Sequence, residues 1–473
     1  MTNKKQFDLA IIGGGAAGLV IASVSAQLGL KVCLIEQKDK LGGDCLHTGC
    51  IPSKSLIQVA KVAHQCRQAE RFGLSSHMDE IDLGRIADHV QSIIDEIQPH
   101  DDPERFREYG CDVRFGQASF VNSQQLAINR ETISAQRFVI ATGSRPFIPP
   151  IEGLDQVPYL TNESLFSLRS LPRRLAVLGG GPIGLEMAQA FSRLGSQVQI
   201  IERLPQLLPL EDPEITALLQ THLISEGIEV STETEIIRAT KTATEIVLQS
   251  KQGQQFSCDA LLIAVGRRPD IESLKLQAAG VKFSPKGILV DKRMRSSQKH
   301  IFACGDVCGP FAFTHMAEYQ AGIVIGNVVF RLPRKADYRV VPKVTFTDPE
   351  LASVGLSEAQ AIAQGIKPLV LRFPFKDIDR GITDRQQVGM SKLVVHKNRL
   401  IGATIFGPHA GELIHELCLA MKTGTKISEL SATIHAYPSL SQIHRRCVNS
   451  WYGEKLFSPA SRRLVHWINR LLP

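Results

Sequence analysis

An α/β fold made of two copies of a parallel-sheet unit and a separate α+β C-terminal domain is what this sequence predicts. Three observations carry that expectation. A strand, a Gly-rich turn, a helix and a second strand ending in an acid occur twice, over residues 7–36 and 175–202. Beyond the charged, proline-containing stretch Arg331–Lys335 the pattern changes, and residues 340–355 and 391–406 alternate as strands do. The length, 473 residues, exceeds what a single core supports and fits two to four domains.

Composition narrows the function classes. Apolar content of 43% and charged content of 21% are those of an ordinary globular protein. A net charge of +7 is modest at this length, and no basic motif interleaved with aromatics accompanies it, so nucleic acid is not an expected partner. The apolar residues after Asp8 run straight into Gly13, which reads as a first strand and not as a signal peptide. No apolar run reaches the 18 residues of a spanning helix. Ten cysteines without a leader point to a reducing compartment, by default the cytoplasm, where a disulfide is more often catalytic than structural.

The first copy starts with the strand Phe7–Ile12, turns at Gly13, Gly15 and Gly18, and closes on Val32–Glu36. Glycines at those three positions permit a tight turn, close approach of a pyrophosphate to the helix N-terminus, and close helix packing. Glu36 stands where an acid accepts hydrogen bonds from a ribose. The copy is therefore expected to bind a dinucleotide.

Next comes Leu41-Gly42-Gly43-Asp44-Cys45-Leu46-His47-Thr48-Gly49-Cys50-Ile51-Pro52-Ser53-Lys54. Residues five apart in a regular helix are separated by about 7.5 Å of rise, beyond the usual reach of a disulfide. Bridging Cys45 and Cys50 thus needs a distorted turn, which Gly49 could supply by taking positive φ. A helix starting near Pro52, with the Lys54 ammonium, would favour a thiolate at Cys50. Two structural thiols also satisfy an isolated C-x4-C. A resident metal is not expected, since no second Cys/His pair at ligand spacing is present.

The whole string closely resembles the active-site segment of the flavin-dependent pyridine nucleotide-disulfide oxidoreductases, among them dihydrolipoamide dehydrogenase, glutathione reductase and mercuric reductase. The resemblance implies FAD and a nicotinamide nucleotide as cofactors, a homodimer, a charge-transfer thiolate at Cys50 and an interchange thiol at Cys45. Gly43 and Lys54 fall among its cofactor-binding positions. It also pairs Lys54 with Glu186 beside the flavin, although Glu186 alone reads as an ordinary solvated helix residue.

Residues 56–107 read as two long polar scaffold helices, broken near 73–78. A strand-rich piece follows, in which the resemblance sets Ala118 against the flavin adenine and ends the first copy at Thr142 and Gly143. The second copy carries Gly179, Gly181 and Gly184 with its acid at Glu202, and its last strand closes on Gly266. With one copy for FAD, the other is expected to take NADH; Arg203 beside Glu202 leaves NADPH open. Ile301–Val307 resembles that family's second flavin signature, which implies that Asp306 binds ribityl hydroxyls and that the backbone near Thr314 contacts the ring. Cys304 and Cys308 read as small core residues. The expected division is 1–155 with 275–335 for FAD, 156–274 for the nicotinamide nucleotide, 340–455 for the dimer interface, and a basic tail at 456–473.

One segment departs from the disulfide reductases. In His435-Ala436-Tyr437-Pro438-Ser439-Leu440-Ser441-Gln442, tyrosine stands in the place of their catalytic histidine and glutamine in that of its orienting glutamate. His435 matches a different, preceding histidine. Mercuric reductases share a tyrosine there, and a soft metal on two thiolates needs no His–Glu base. The expected acceptor is therefore a small molecule or metal ion, with Hg(II) first; dihydrolipoamide or another disulfide, and a slow redox or metal sensor, are the alternatives. In the tail, Leu464, Trp467, Ile468 and Leu471 share one helical face, with Arg462, Arg463, His466 and Arg470 elsewhere. Packing on the tail's own domain is the expectation, with a membrane surface or a partner as the other readings.

Overall fold

The structure is a computed structural model that describes residues 6–471. Met1 to Lys5 and the tail residues Leu472 and Pro473 lie outside the described residues. The fold is the α/β arrangement expected: two Rossmann-like units and an antiparallel C-terminal domain.

The first unit is a seven-stranded sheet centred on Phe7–Ile12, which pairs in parallel with Val32–Glu36 on one side and Glu131–Ile140 on the other. Phe7–Ile12 and Val32–Glu36 are buried along nearly their whole length, with Asp8 and Glu36 their polar residues, as strands covered on both faces are. Ile301–Ala303 adds in parallel to Glu131–Ile140, which returns the 300s to the first sheet after the second unit has been completed. The second unit orders Arg174–Leu178 between Gln197–Ile201 and Ala260–Ile263, all parallel.

The two copies match atom for atom at their turns. Gly13 and Gly179 take φ of +109° and +111°, and a Cβ on either would lie 2.3 or 2.5 Å from the carbonyl oxygen of Ala141 or Ala264. A Cβ at Gly18 or Gly184 would lie 1.9 or 2.1 Å from the oxygen of Gly13 or Gly179. Only glycine fits at these four positions.

Two long helices, Cys50–Arg67 and Leu83–Ile97, follow the first turn as expected. The redox segment differs in detail. Its helix starts at Cys50, and Gly49 has φ −129°, so positive φ is not what the turn needs there. A Cβ on Gly49 would lie 2.8 Å from Asp44 O, and close backbone approach is the reason for glycine. Positive φ falls instead on Gly42 and Gly43.

The C-terminal sheet is five-stranded and antiparallel, in the order Lys343–Thr345, Glu350–Gly355, Arg399–Gly407, Met390–His396, Leu369–Pro374, backed by helices Ala410–Thr423 and Gln442–Leu456. One core joins Leu56, Ala60 and Ala63 of the redox helix to Leu185 and Phe191 of the second unit and to Leu351 and Phe406 of the C-terminal sheet. Ion pairs cross the same seams. Asp348 meets Arg193 at 2.7 Å and Lys61 at 3.4 Å, and Lys392 meets Asp212, Glu214 and Glu358, each at 2.8 Å. The tail corrects the expectation of self-packing: Pro459–Leu471 is a helix with no buried residue. No helix of the described residues is long and apolar enough to cross a membrane.

Candidate active site

Cys45 lies in the short helix Gly43–His47, and Cys50 opens the long helix Cys50–Arg67, so the two thiols meet across the kink between the helices. The helix N-terminus has no side-chain cap, which leaves its first N–H groups and its dipole to favour an anion at Cys50. Thr314 Oγ1, from the first residue of the helix Thr314–Val328, lies 3.2 Å from Cys50 Sγ. Burial opposes ionisation, but the hydrogen bond from the Cys45 thiol, then that from Thr314 and the Lys54 charge, hold Cys50 down to about 6. Cys45 moves the other way: its hydrogen bond to Cys50 and its burial push its thiol well up. The pair therefore shares one proton, carried on Cys45. Cys304 and Cys308 are pushed up by burial, as core thiols are.

Glu186 is not a solvated helix residue. It is 5% exposed, its Oε2 accepts from Lys54 Nζ at 2.9 Å, and its Oε1 accepts from the backbone N–H of Phe346 at 2.9 Å. The Phe346 ring lies 4.3 Å from the Lys54 ammonium. Three segments far apart in sequence thus fix one lysine. Phe346 escaped the sequence reading because nothing in its own neighbourhood marks it.

A second polar chain braces the redox turn. Arg267 pairs with Asp44 at 2.9 Å, donates to Asn162 Oδ1 at 3.1 Å, and donates to Ser144 Oγ at 2.8 Å. Ser144 Oγ in turn donates to Asp306 at 2.7 Å. Burial holds the Asp306 carboxyl up, against that bond. Asn162 also donates to Asp44 and to the Thr48 carbonyl. Of this chain only Asp306 was singled out in sequence; an arginine directly after the second unit's closing glycine was the available signal for Arg267.

The dinucleotide cradles are formed. Gly14 N–H donates to Glu36 Oε2 at 2.7 Å, and Gly180 N–H to Glu202 Oε2 at 2.6 Å, so each strand-end acid holds its own Gly-rich turn. Helices Ala16–Gln27 and Pro182–Leu194 start at Gly15 and Gly181 without a side-chain cap, leaving first-turn N–H groups for a pyrophosphate. Gly43 packs on Gly15, where a Cβ would lie 2.7 Å from the Gly15 Cα, and this seats the redox turn on the first cradle. Ala118 is buried. Thr142 Oγ1 donates to the Asp270 carbonyl at 2.6 Å, and Gly143 and Gly266 take positive φ where strands Ser144–Pro146 and Arg267–Pro269 clip the two units together. These features fit FAD in the first unit and a nicotinamide nucleotide in the second.

The C-terminal candidates part company. Tyr437 is 70% exposed. The His435 side chain is only 5% exposed, with Nε2 on the Glu416 carboxylate at 3.1 and 3.2 Å and Nδ1 3.2 Å from the Thr433 carbonyl. Gln442 is buried.

Comparison with known proteins agrees with this geometry. Residues 7–321 match the family described as pyridine nucleotide-disulphide oxidoreductase, and residues 341–446 match that family's dimerisation domain. A mercuric reductase of Lysinibacillus sphaericus is 34% identical over 448 residues, covering 93% of this chain and 82% of the relative. A dihydrolipoyl dehydrogenase of Thermus scotoductus is 36% identical over 448 residues, covering 93% and 96%. Among solved structures, the HOCl-induced flavoprotein disulfide reductase RclA from Escherichia coli superposes with a TM-score of 0.86 at 30% identity, covering 94% of this chain and 99% of that one. Its Cu(II) complex superposes with a TM-score of 0.85. The match to the dimerisation domain supports a homodimer.

Proposed function

The chain belongs to the pyridine nucleotide-disulphide oxidoreductase family, FAD enzymes with NAD(P)H as electron donor, and on that premise we propose that it passes electrons from NADH through FAD and the Cys45–Cys50 pair to a thiophilic metal ion such as Hg(II). In this reading residues 1–155 and 275–335 hold FAD, 156–274 the nicotinamide nucleotide, and 340–455 the subunit interface. Bound FAD supplies the two-electron relay between nicotinamide hydride and the cysteine pair. The chain's own groups do the rest. Cys50 carries the negative charge, Cys45 carries the proton, and Lys54, fixed by Glu186 and Phe346, presents a positive charge that favours electron-rich states nearby. Arg267 and Asn162 keep Asp44, and with it the turn bearing Cys45, in place.

The observation that carries the choice of acceptor is the outward face of the 435–442 segment. Exchange with a disulfide needs a group that protonates the leaving sulfur, a contribution of about 10²–10⁴ in rate. Here His435 faces inward with both ring nitrogens on acceptors of its own chain, and a phenol and a buried amide stand where a His–Glu pair would act. A phenol is a poor general acid–base group for such an exchange at neutral pH. A soft ion held by two thiolates takes electrons without that step. The relatives named mercuric reductase and the Cu(II) complex of a solved relative support the same class of acceptor.

The test is an acceptor comparison on the FAD-loaded protein. NADH oxidation with Hg(II), buffered by excess thiol, should exceed that with lipoamide or glutathione disulfide by at least ~10²-fold in kcat/KM. Robust lipoamide-linked turnover that is lost on His435→Gln and kept in Tyr437→Phe would overturn the reading and make His435 the base.

The donor preference follows from Glu202. Its carboxylate, anchored by the N–H groups of Gly180 and Leu204, stands at the ribose position of the second cradle and repels a 2′-phosphate. We expect kcat/KM for NADH to exceed that for NADPH by about tenfold or more, and equal values from steady-state kinetics would refute the assignment of Glu202.

A further inference from the structure

We propose that the helix Pro459–Leu471 docks the enzyme on the surface of an anionic lipid bilayer. Ser458 starts the helix, accepting from Ser461 N–H at 3.3 Å, while Ser461 Oγ donates to the Lys455 carbonyl and ties the new helix to the end of the preceding one. Beyond that tie the helix stands clear. Leu464, Trp467, Ile468 and Leu471 are 39–60% exposed along one stripe, and Leu456 and Phe457 are exposed just before it. Arg462 and His466 lie on the far side of the helix, Arg463 and Arg470 flank the stripe beside Trp467, and the helix contains no acid.

Charge decides the occupant. A second copy of the same helix would repeat its positive charge and offer no carboxylate to complement it. Negative lipid headgroups complement the arginines, and acyl chains accept the Leu–Trp–Ile–Leu stripe. At thirteen residues the helix is about 20 Å long, short of the ~30 Å hydrocarbon core, so it lies in the plane of the surface. Trp467, on the apolar stripe, has the ring type that settles at headgroup level.

The experiment uses the full-length FAD-loaded protein and vesicles of phosphatidylcholine, with or without phosphatidylglycerol. Only two tryptophans are present, so Trp451→Phe leaves Trp467 as the sole reporter. We expect co-sedimentation with the phosphatidylglycerol vesicles and a blue shift of Trp467 emission, both lost in pure phosphatidylcholine and weakened by salt. Reversing Arg462, Arg463 and Arg470 to glutamate should lower vesicle affinity by about 100-fold or more while NADH oxidation and dimer mass stay unchanged. Absence of wild-type binding to the anionic vesicles overturns the proposal. So does dissociation of the dimer in the triple variant, which would assign the face to the partner subunit.

Discussion

Cys50→Ser protein, loaded with FAD and reduced by two electrons, should lack the long-wavelength absorbance that the wild type develops, and its turnover with any thiol-dependent acceptor should fall by roughly 10³-fold or more. The cause is the loss of the one sulfur whose surroundings favour charge. Cys50 takes a hydrogen bond from the Cys45 thiol and one from Thr314, lies at an uncapped helix start, and has Lys54 one turn away. The pH dependence has a definite sign. A thiol whose value is lowered to about 6 is anionic above that pH and protonated below it, so alkylation of the reduced wild type by iodoacetamide should slow about tenfold per pH unit below 6. Cys50→Ser should lose that low-pH reactivity. A retained band in the variant, or an alkylation profile centred near ~8.5 in the wild type, would assign the thiolate elsewhere.

Lys392→Met should be the most damaging substitution outside the redox site, lowering the unfolding free energy by about 3–5 kcal/mol. Lys392 is 4% exposed and bonds Asp212, itself 2% exposed, together with Glu214 and Glu358. Methionine fills the volume but leaves the Asp212 carboxylate buried without its cation, while Arg372 still serves the two glutamates. The seam between the second unit and the C-terminal sheet would open first. Urea unfolding measures the loss, and adding Asp212→Asn should recover part of it; a loss below ~1 kcal/mol would mean that the cluster is solvated.

Both effects depend on contacts that the sequence conveys unevenly. The repeated units were legible because their chemistry is local: glycines at fixed offsets and an acid at the end of the next strand specify a turn and its ligand. The same local reading missed that Glu36 and Glu202 also tie down their own turns, since a backbone N–H leaves no mark in sequence. Gly49 was read for the wrong property, because a steric need and a φ need are both written as glycine. The Lys54–Glu186 pair came from resemblance alone, and its third member, Phe346, belongs to a domain that joins the site only through folding. Resemblance gives Tyr437 and His435 different places in the segment, but that the His435 side chain is buried on Glu416 while Tyr437 is exposed shows only in the fold. The tail was patterned correctly as an amphipathic helix, but its surroundings depend on surfaces that its own residues do not encode.

The measurement that bears most directly on the proposed electron path is Hg(II)-dependent NADH oxidation by Cys45→Ser, with a quinone that accepts electrons from flavin as the control acceptor. If electrons reach the metal through the cysteine pair, Hg(II) turnover should fall by at least ~10²-fold and quinone turnover should stay near the wild-type rate. Undiminished Hg(II) turnover in the variant would contradict the account, because the metal would then be taking electrons without the pair.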